Sequence, residues 1–313
     1  MKRYSICATL LTLILGTTLS VSAQNNTLPI LDITPSARAL AMGSHTVGLS
    51  KGMYIYTNPA SFFYNSIGNF NVSYTGQLHS SLEGAGRLQY HALGAGYKTG
   101  RHAFLAGLRY MGGLEYNLDD GTTLSPGWFT TDLTYAAKIW HGLVTSVGAS
   151  FIRSKYDTSA MTVGCNASLH HGDQIAWVGR SWDYTVGASV VGVGLPLNYG
   201  DDRPKVDIPI RTDIGGEIAT DIATDHRLSM AMATQLYVFP TQTQSVSVSG
   251  GMEYSFRHLC FVRGGYTHGQ NDYRVASAGI GVSYRSFSID ATYHKILIEG
   301  GIGALTISIG HSF

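Results

Sequence analysis

The last ten residues, "ALTISIGHSF" at 304–313, decide how the whole chain is read. Leu305, Ile307, Ile309, His311 and Phe313 fall on one face of an extended segment, and Thr306, Ser308, Gly310 and Ser312 on the other. A two-residue period predicts a β-strand with one apolar and one polar side. Chain ends ordinarily fray unless something ties them down. A strand patterned up to its final aromatic residue therefore needs a partner along its full length. A closed barrel in lipid supplies one. Unsatisfied backbone groups in hydrocarbon cost several kcal/mol each, so the last strand must pair with the first.

The same rhythm runs upstream. "NFNVSYTGQL" sets Phe70, Val72, Tyr74 and Leu78 against Asn71, Ser73, Thr75 and Gln77. Alternating segments recur at 69–78, 87–97, 102–110, 127–137, 143–153, 158–170, 183–193, 210–221, 227–238, 245–256, 259–268, 275–284, 286–294 and 303–313. They predict an all-β chain, a transmembrane antiparallel β-barrel of about 14 strands. Composition agrees. Charged residues make up 13% of the chain, about half of what soluble domains carry, yet no long apolar run follows the first residues. Ser, Thr, Gly and Asn on the polar faces suit a crowded lumen better than bulk water. Tyr254, Phe256, Tyr284 and Tyr293 fall near strand ends, where a membrane aromatic girdle lies. Cys165 and Cys260 share phase with apolar neighbours and read as lipid-facing rather than as a redox pair. Connections alternate long external loops with short periplasmic turns. Two break that parity: a long periplasmic turn at 171–182 and a short external loop at 154–157.

The segment before the barrel reads differently. Lys2 and Arg3, the apolar run from Ile6 to Leu19, and Val21-Ser22-Ala23 predict a cleaved signal peptide over 1–23, directing export to the outer membrane. Residues 24–66 then form a plug segment, and 67–313 the barrel. Within the plug, "SARALAMG" predicts a short helix capped by Ser36 and ended by Gly43, and Asn58-Pro59 predicts a turn. Arg38 inside such a plug needs a carboxylate or backbone carbonyls. Leu40, Tyr54 and Tyr56 are candidates to line the lumen. With Met42, they would shape an apolar pocket if the barrel passes a hydrophobic molecule. Tyr116, Trp128 and Tyr199, on or beside the external loops, are candidate contacts for a docked protein.

Chemistry is sparse. The chain has no G-x-S-x-G, H-E-x-x-H, C-x-x-C or phosphate-binding loop, so no enzyme, cofactor or metal is expected. His170 and His171 in "HHGDQ" point to opposite faces of a strand end, which is awkward for joint ligation of a metal; with Asp173 they read as a polar turn. Asp119, Asp120 and Gly121 read as a loop turn, and Gly300, Gly301 and Gly303 as a hairpin turn. A net charge of +1 without a basic run makes nucleic acid an unexpected partner.

Residues 28–65 carry a more specific likeness. Ser36, Ala37, Arg38, Ala39, Met42 and Gly43, followed by Asn58, Pro59 and Ala60, resemble the N-terminal signature of the PorV/PorQ family of outer-membrane proteins, related in fold to the FadL fatty-acid transporters. The resemblance implies a fourteen-stranded barrel. It also implies a role in type IX protein secretion, in which external loops dock secreted cargo bearing a C-terminal β-sandwich signal domain, or a surface-attachment component. Ile309, His311 and Phe313 resemble the C-terminal signal read by the barrel-assembly machinery. Outer-membrane lipid and that machinery are then partners as well. Docking is the preferred reading, and a FadL-like transporter of long-chain fatty acids or other hydrophobic compounds is the alternative.

Overall fold

A computed structural model describes residues 28–44, 46–48, 52–65, 68–82, 84–117, 121–200, 203–241, 244–270, 273–298 and 301–313. The expected signal peptide, Asp119, Asp120 and Gly300 lie outside the described residues. Fourteen strands close into one antiparallel barrel: β1 Phe70–His79, β2 Gly86–Thr99, β3 His102–Leu114, β4 Gly127–Trp140, β5 Leu143–Lys155, β6 Ser159–Trp177, β7 Arg180–Gly194, β8 Ile210–Ala223, β9 His226–Phe239, β10 Ser245–Phe256, β11 Cys260–Gly269, β12 Arg274–Tyr284, β13 Phe287–Ile296 and β14 Gly303–Ser312. Each strand pairs with its sequence neighbours, and β1 pairs with β14 from Asn71↔Ser312 to His79↔Ala304.

That seam explains the patterned C-terminus. Beyond the last ladder pair, the Phe70 N–H donates to the Phe313 carbonyl at 2.8 Å and the Phe313 N–H to the Phe70 carbonyl at 2.9 Å. Their rings lie 5.0 Å apart, and His311 stacks on Phe287 and Phe313. Even the final residue is thus part of the closure.

The barrel is inside out relative to a soluble sandwich. On β1 the buried residues are Asn71, Ser73, Thr75 and Gln77, and the exposed ones Val72, Tyr74 and Leu78. The pattern repeats on β14, where Leu305, Ile307 and Ile309 face out and Thr306 is buried. A continuous band of exposed Val, Leu, Ile, Phe and Tyr side chains suits hydrocarbon, and a polar lining suits a lumen filled by water or by a plug. Cys165 and Cys260 are free and exposed on the outer side.

Turns at the end where β1 begins are short, and connections at the other end are longer, so these are the periplasmic and external ends respectively. One expectation needs correction. Residues 171–182 are not a long turn. From Ala167↔Val190 onward β6 and β7 pair without interruption to Trp177↔Arg180, and only Val178 and Gly179, both at positive φ, make the reversal, as in a two-residue hairpin turn. His170 and Asp173 therefore sit on a strand rather than in a polar turn. The short connection at 156–158 is real, and it is tied to the next external loop by an Arg203 to Asp157 ion pair.

Candidate functional site

The plug fills the lumen, and its local chemistry explains its shape. Helix α1, Ala37–Ala41, starts where the Ser36 hydroxyl accepts the Ala39 N–H at 3.3 Å, and ends at Gly43 with φ +93°. Every helix end leaves backbone groups unsatisfied. Here the wall satisfies several of them. Thr292 Oγ1 donates to the Ala37 carbonyl at 2.6 Å, Ser277 Oγ to the Ala41 carbonyl at 3.2 Å, and Thr267 Oγ1 to the Gly43 carbonyl at 2.8 Å. Such contact requires bare wall backbone. A Cβ added to Gly265 would sit 2.6 Å from the Ala41 carbonyl oxygen, and one on Gly279 would sit 2.7 Å from the Ala41 Cβ. Part of the chain's high glycine content is therefore the imprint of the plug on the wall.

Further along, Asn58 is fully buried. Its Oδ1 accepts the Ala60 N–H at 2.9 Å and its Nδ2 donates to the Val47 carbonyl at 3.2 Å. This Asx turn holds Pro59 and Ala60 and launches helix α2, Ser61–Asn65. On the periplasmic floor Tyr54 stacks on Phe62 at 5.0 Å, above Ala103, Leu105, Ala136 and Val144.

Three charge clusters bind plug to wall. Arg38 donates through Nε to Glu253 at 2.8 Å and through Nη2 to Glu217 at 2.7 Å. Glu253 also takes Arg263, whose other arm reaches Asp290 at 2.5 Å. Burial works against the Arg38 charge, but Glu217 and Glu253 outweigh it and hold the guanidinium protonated. In the second cluster the Tyr56 hydroxyl donates to Asp132 at 2.8 Å, and Arg109 pairs with Asp132 at 3.0 Å while lying over the Tyr56 ring. In the third, Asp32 accepts from Tyr237 and faces Arg211, which pairs with Asp213 at 3.0 Å. Burial pushes Asp32 up to about 6, against the opposing pull of Arg211.

Above these clusters the lumen changes character. Leu28, Ile30 and Met53 of the plug pack against Tyr90, Met111, Trp128, Ile152, Leu197 and Ile208. Leu197 and Ile208 belong to the 195–209 loop, which tucks inward through a Leu197↔Val206 bridge. Below the apolar cluster lies a cavity of about 90 Å³ lined by Leu31, Ile33, Ile55 and Tyr56 of the plug and by Ile152, Asn166, Val191 and Arg211 of the wall. A second, of about 280 Å³, lies toward the periplasmic end among Arg38, Asp183, Glu217, Arg227 and Glu253.

Of the candidate residues, Arg38, Gly43 and Tyr56 meet the wall as described above, and Ser36, Asn58 and Pro59 shape the plug itself. Leu40 and Met42 are buried but do not line the upper cavity, and Tyr54 belongs to the floor. Trp128 is not an external-loop contact. It stands on β4, turned into the lumen and 6% exposed. Tyr199 also turns inward, donating to Ser154 at 2.7 Å, whereas Tyr116 is exposed on a small hairpin between β3 and β4. Glu217, Glu253, Arg109, Asp132 and Arg211 were not among the candidates. A charged residue on the polar phase of a lipid-spanning strand was the signal that would have singled them out.

No protein-family model matches the chain, and no curated protein matches it. Solved structures do. The toluene transporter TodX of Pseudomonas putida superposes with a TM-score of 0.62 at 10% identity, over 93% of this chain and 100% of that one. The toluene transporter TbuX of Ralstonia pickettii gives 0.60 at 13% identity, over 92% and 100%. A FadL homologue of Pseudomonas aeruginosa gives 0.53 at 11% identity, over 94% and 99%. Closed, plugged and fourteen-stranded, this chain has the fold of the FadL-type outer-membrane barrels.

Proposed function

We propose that the protein is a FadL-like transporter that takes a hydrophobic compound into its lumen from the external side. The observation that carries this reading is the apolar cluster around Trp128 in the external half of the lumen, set above a middle layer of charges and hydroxyls. A general porin needs a wet, polar path. Here the external half of the lumen offers aromatic and aliphatic side chains, with an inward-folded loop above and a small cavity below. Burial in such a site is driven by apolar area and requires no specific partner group. The likeness in fold to toluene transporters supports this reading over docking. The PorV/PorQ-like residues at 36–43 and 58–60 support docking of secreted cargo as the second reading. In this structure those residues are spent on plug architecture, and two of the three candidate docking aromatics face inward.

The test is binding of toluene and of oleate to the purified barrel by calorimetry. The wild type should bind at least one of them, and Trp128→Ala should weaken that binding about tenfold or more, as expected for losing a large aromatic contact. A folded barrel that binds neither, and that co-purifies from cross-linked cells with secreted β-sandwich proteins, would shift the function to docking.

A further inference from the structure

The lipid-facing side of β5 reads Val147, Ala149, Phe151, Arg153 and Lys155, alternating with lumen-facing Ile152 and Ser154. The apolar run thus stops at the external rim, and two cations follow on the same face. Phe129 pairs with Arg153 and Gly127 with Lys155 across β4–β5, and Tyr110 pairs with Phe129 across β3–β4. Beyond Met111↔Trp128 the pairing of β3 with β4 ends, while β3 continues along β2 to Leu114↔Gly86. Where the two strands part, a crevice of about 440 Å³ opens, walled by Tyr110, Leu114, Trp128 and Phe129 and overhung by Arg153 and Lys155. The Tyr110 ring runs along Gly112, where a Cβ would stand 2.5 Å from its hydroxyl oxygen. Glu115 is the one acid in the lining, and among the described residues neither Arg153 nor Lys155 has an ion-pair partner.

We propose that this crevice binds a phosphorylated glycolipid of the outer leaflet, with a headgroup phosphate on Arg153 and Lys155 and an acyl chain along Tyr110 and Phe129. Three features select that occupant. The crevice is continuous with the lipid-facing band, so it is reached from the membrane. Its cations stand at headgroup depth, where basic pockets hold anionic lipid heads. An arginine beside a lysine matches a phosphate, the first by a forked pair of hydrogen bonds and the second as a point charge. The aromatic walls give the chain a rigid apolar surface beneath the charge. The proposal is independent of what the lumen carries.

Native mass spectrometry of the full-length protein in non-ionic detergent tests it, with bis-phosphorylated lipid A as probe. The wild type should retain the lipid, and Arg153→Gln/Lys155→Gln should lower retention at least about tenfold, since each charge-assisted contact is worth about that much. Lys295→Gln, at another exposed position near the external end of β13, should leave retention unchanged. Both variants should keep the heat-modifiable migration of a folded barrel. Equal retention by the double variant would overturn the proposal. So would equal retention of phosphatidylglycerol by the wild type, which would mean a general anionic surface. Displacement by inorganic phosphate alone would overturn it too, by reassigning the cations to a free anion.

Discussion

Around α1 the plug meets the wall through charges, hydroxyls and backbone. Around Leu28 and Ile30 it meets the wall through apolar side chains. The first contact is directional: Arg38 is placed by two carboxylates on β8 and β10, and the helix carbonyls by three wall hydroxyls. Removing one partner from such a set leaves buried charge unpaired, which is costly. The second contact is set by area and shape, so another apolar body of similar volume can take the place of a side chain. On the transporter reading proposed above, the difference makes the α1 end the fixed anchor and the Leu28–Ile30 end the part that a hydrophobic ligand would displace.

The sharpest way to break this comparison is Arg38→Ala. It takes the plug cation away from two buried carboxylates, leaving Arg263 on Glu253, and should cost about 3–5 kcal/mol, read as a large fall in the temperature at which the heat-modifiable band converts. Added toluene or oleate should not restore it. Ile30→Ala removes a fully buried side chain and should cost about 2–5 kcal/mol. Here added ligand should recover part of the loss, and a failure to do so would erase the distinction between the two ends. Deleting Phe313 removes two backbone hydrogen bonds to Phe70 and should cost about 1–3 kcal/mol, seen as a smaller assembled fraction with the plug contacts intact. Asp32→Asn should have the smallest effect, and one that depends on pH. Asp32 is raised from 3.8 to about 6 by burial, so its ionised form opposes folding above that value. That opposition fades as pH falls through 6 toward 4. The variant should therefore convert at a higher temperature than wild type at pH 7.5 and at the same temperature at pH 4. A gain that persists at pH 4 would assign the effect to packing.

Much of the fold was legible because β alternation is local. Each strand shows its two faces in its own residues, and a lumen lined by Ser and Thr differs from a water-facing surface rich in Lys and Glu. The β6–β7 hairpin was misread because His170, His171, Gly172 and Asp173 look like turn residues singly, whereas pairing with 184–187 makes them strand. Trp128 was read as a loop-side contact although the strand was expected to begin at 127, where it does begin; what the sequence left open was the face, because at a strand end one residue of register decides between lumen and lipid.

The sequence by itself determined the barrel, its strand number, the paired terminal strand, the capped helix at Ser36 and the Asn58-Pro59 turn. Each of these rests on interactions between residues close in the chain or on a repeated two-residue rhythm. Only the tertiary structure decided which carboxylates neutralise Arg38, which wall glycines admit the plug, where the lumen turns apolar and where Arg153 and Lys155 meet aromatic neighbours. Those contacts join positions as far apart as Arg38 and Glu253, separated by 215 residues. Barrel closure sets them, by bringing every strand to bear on one enclosed volume.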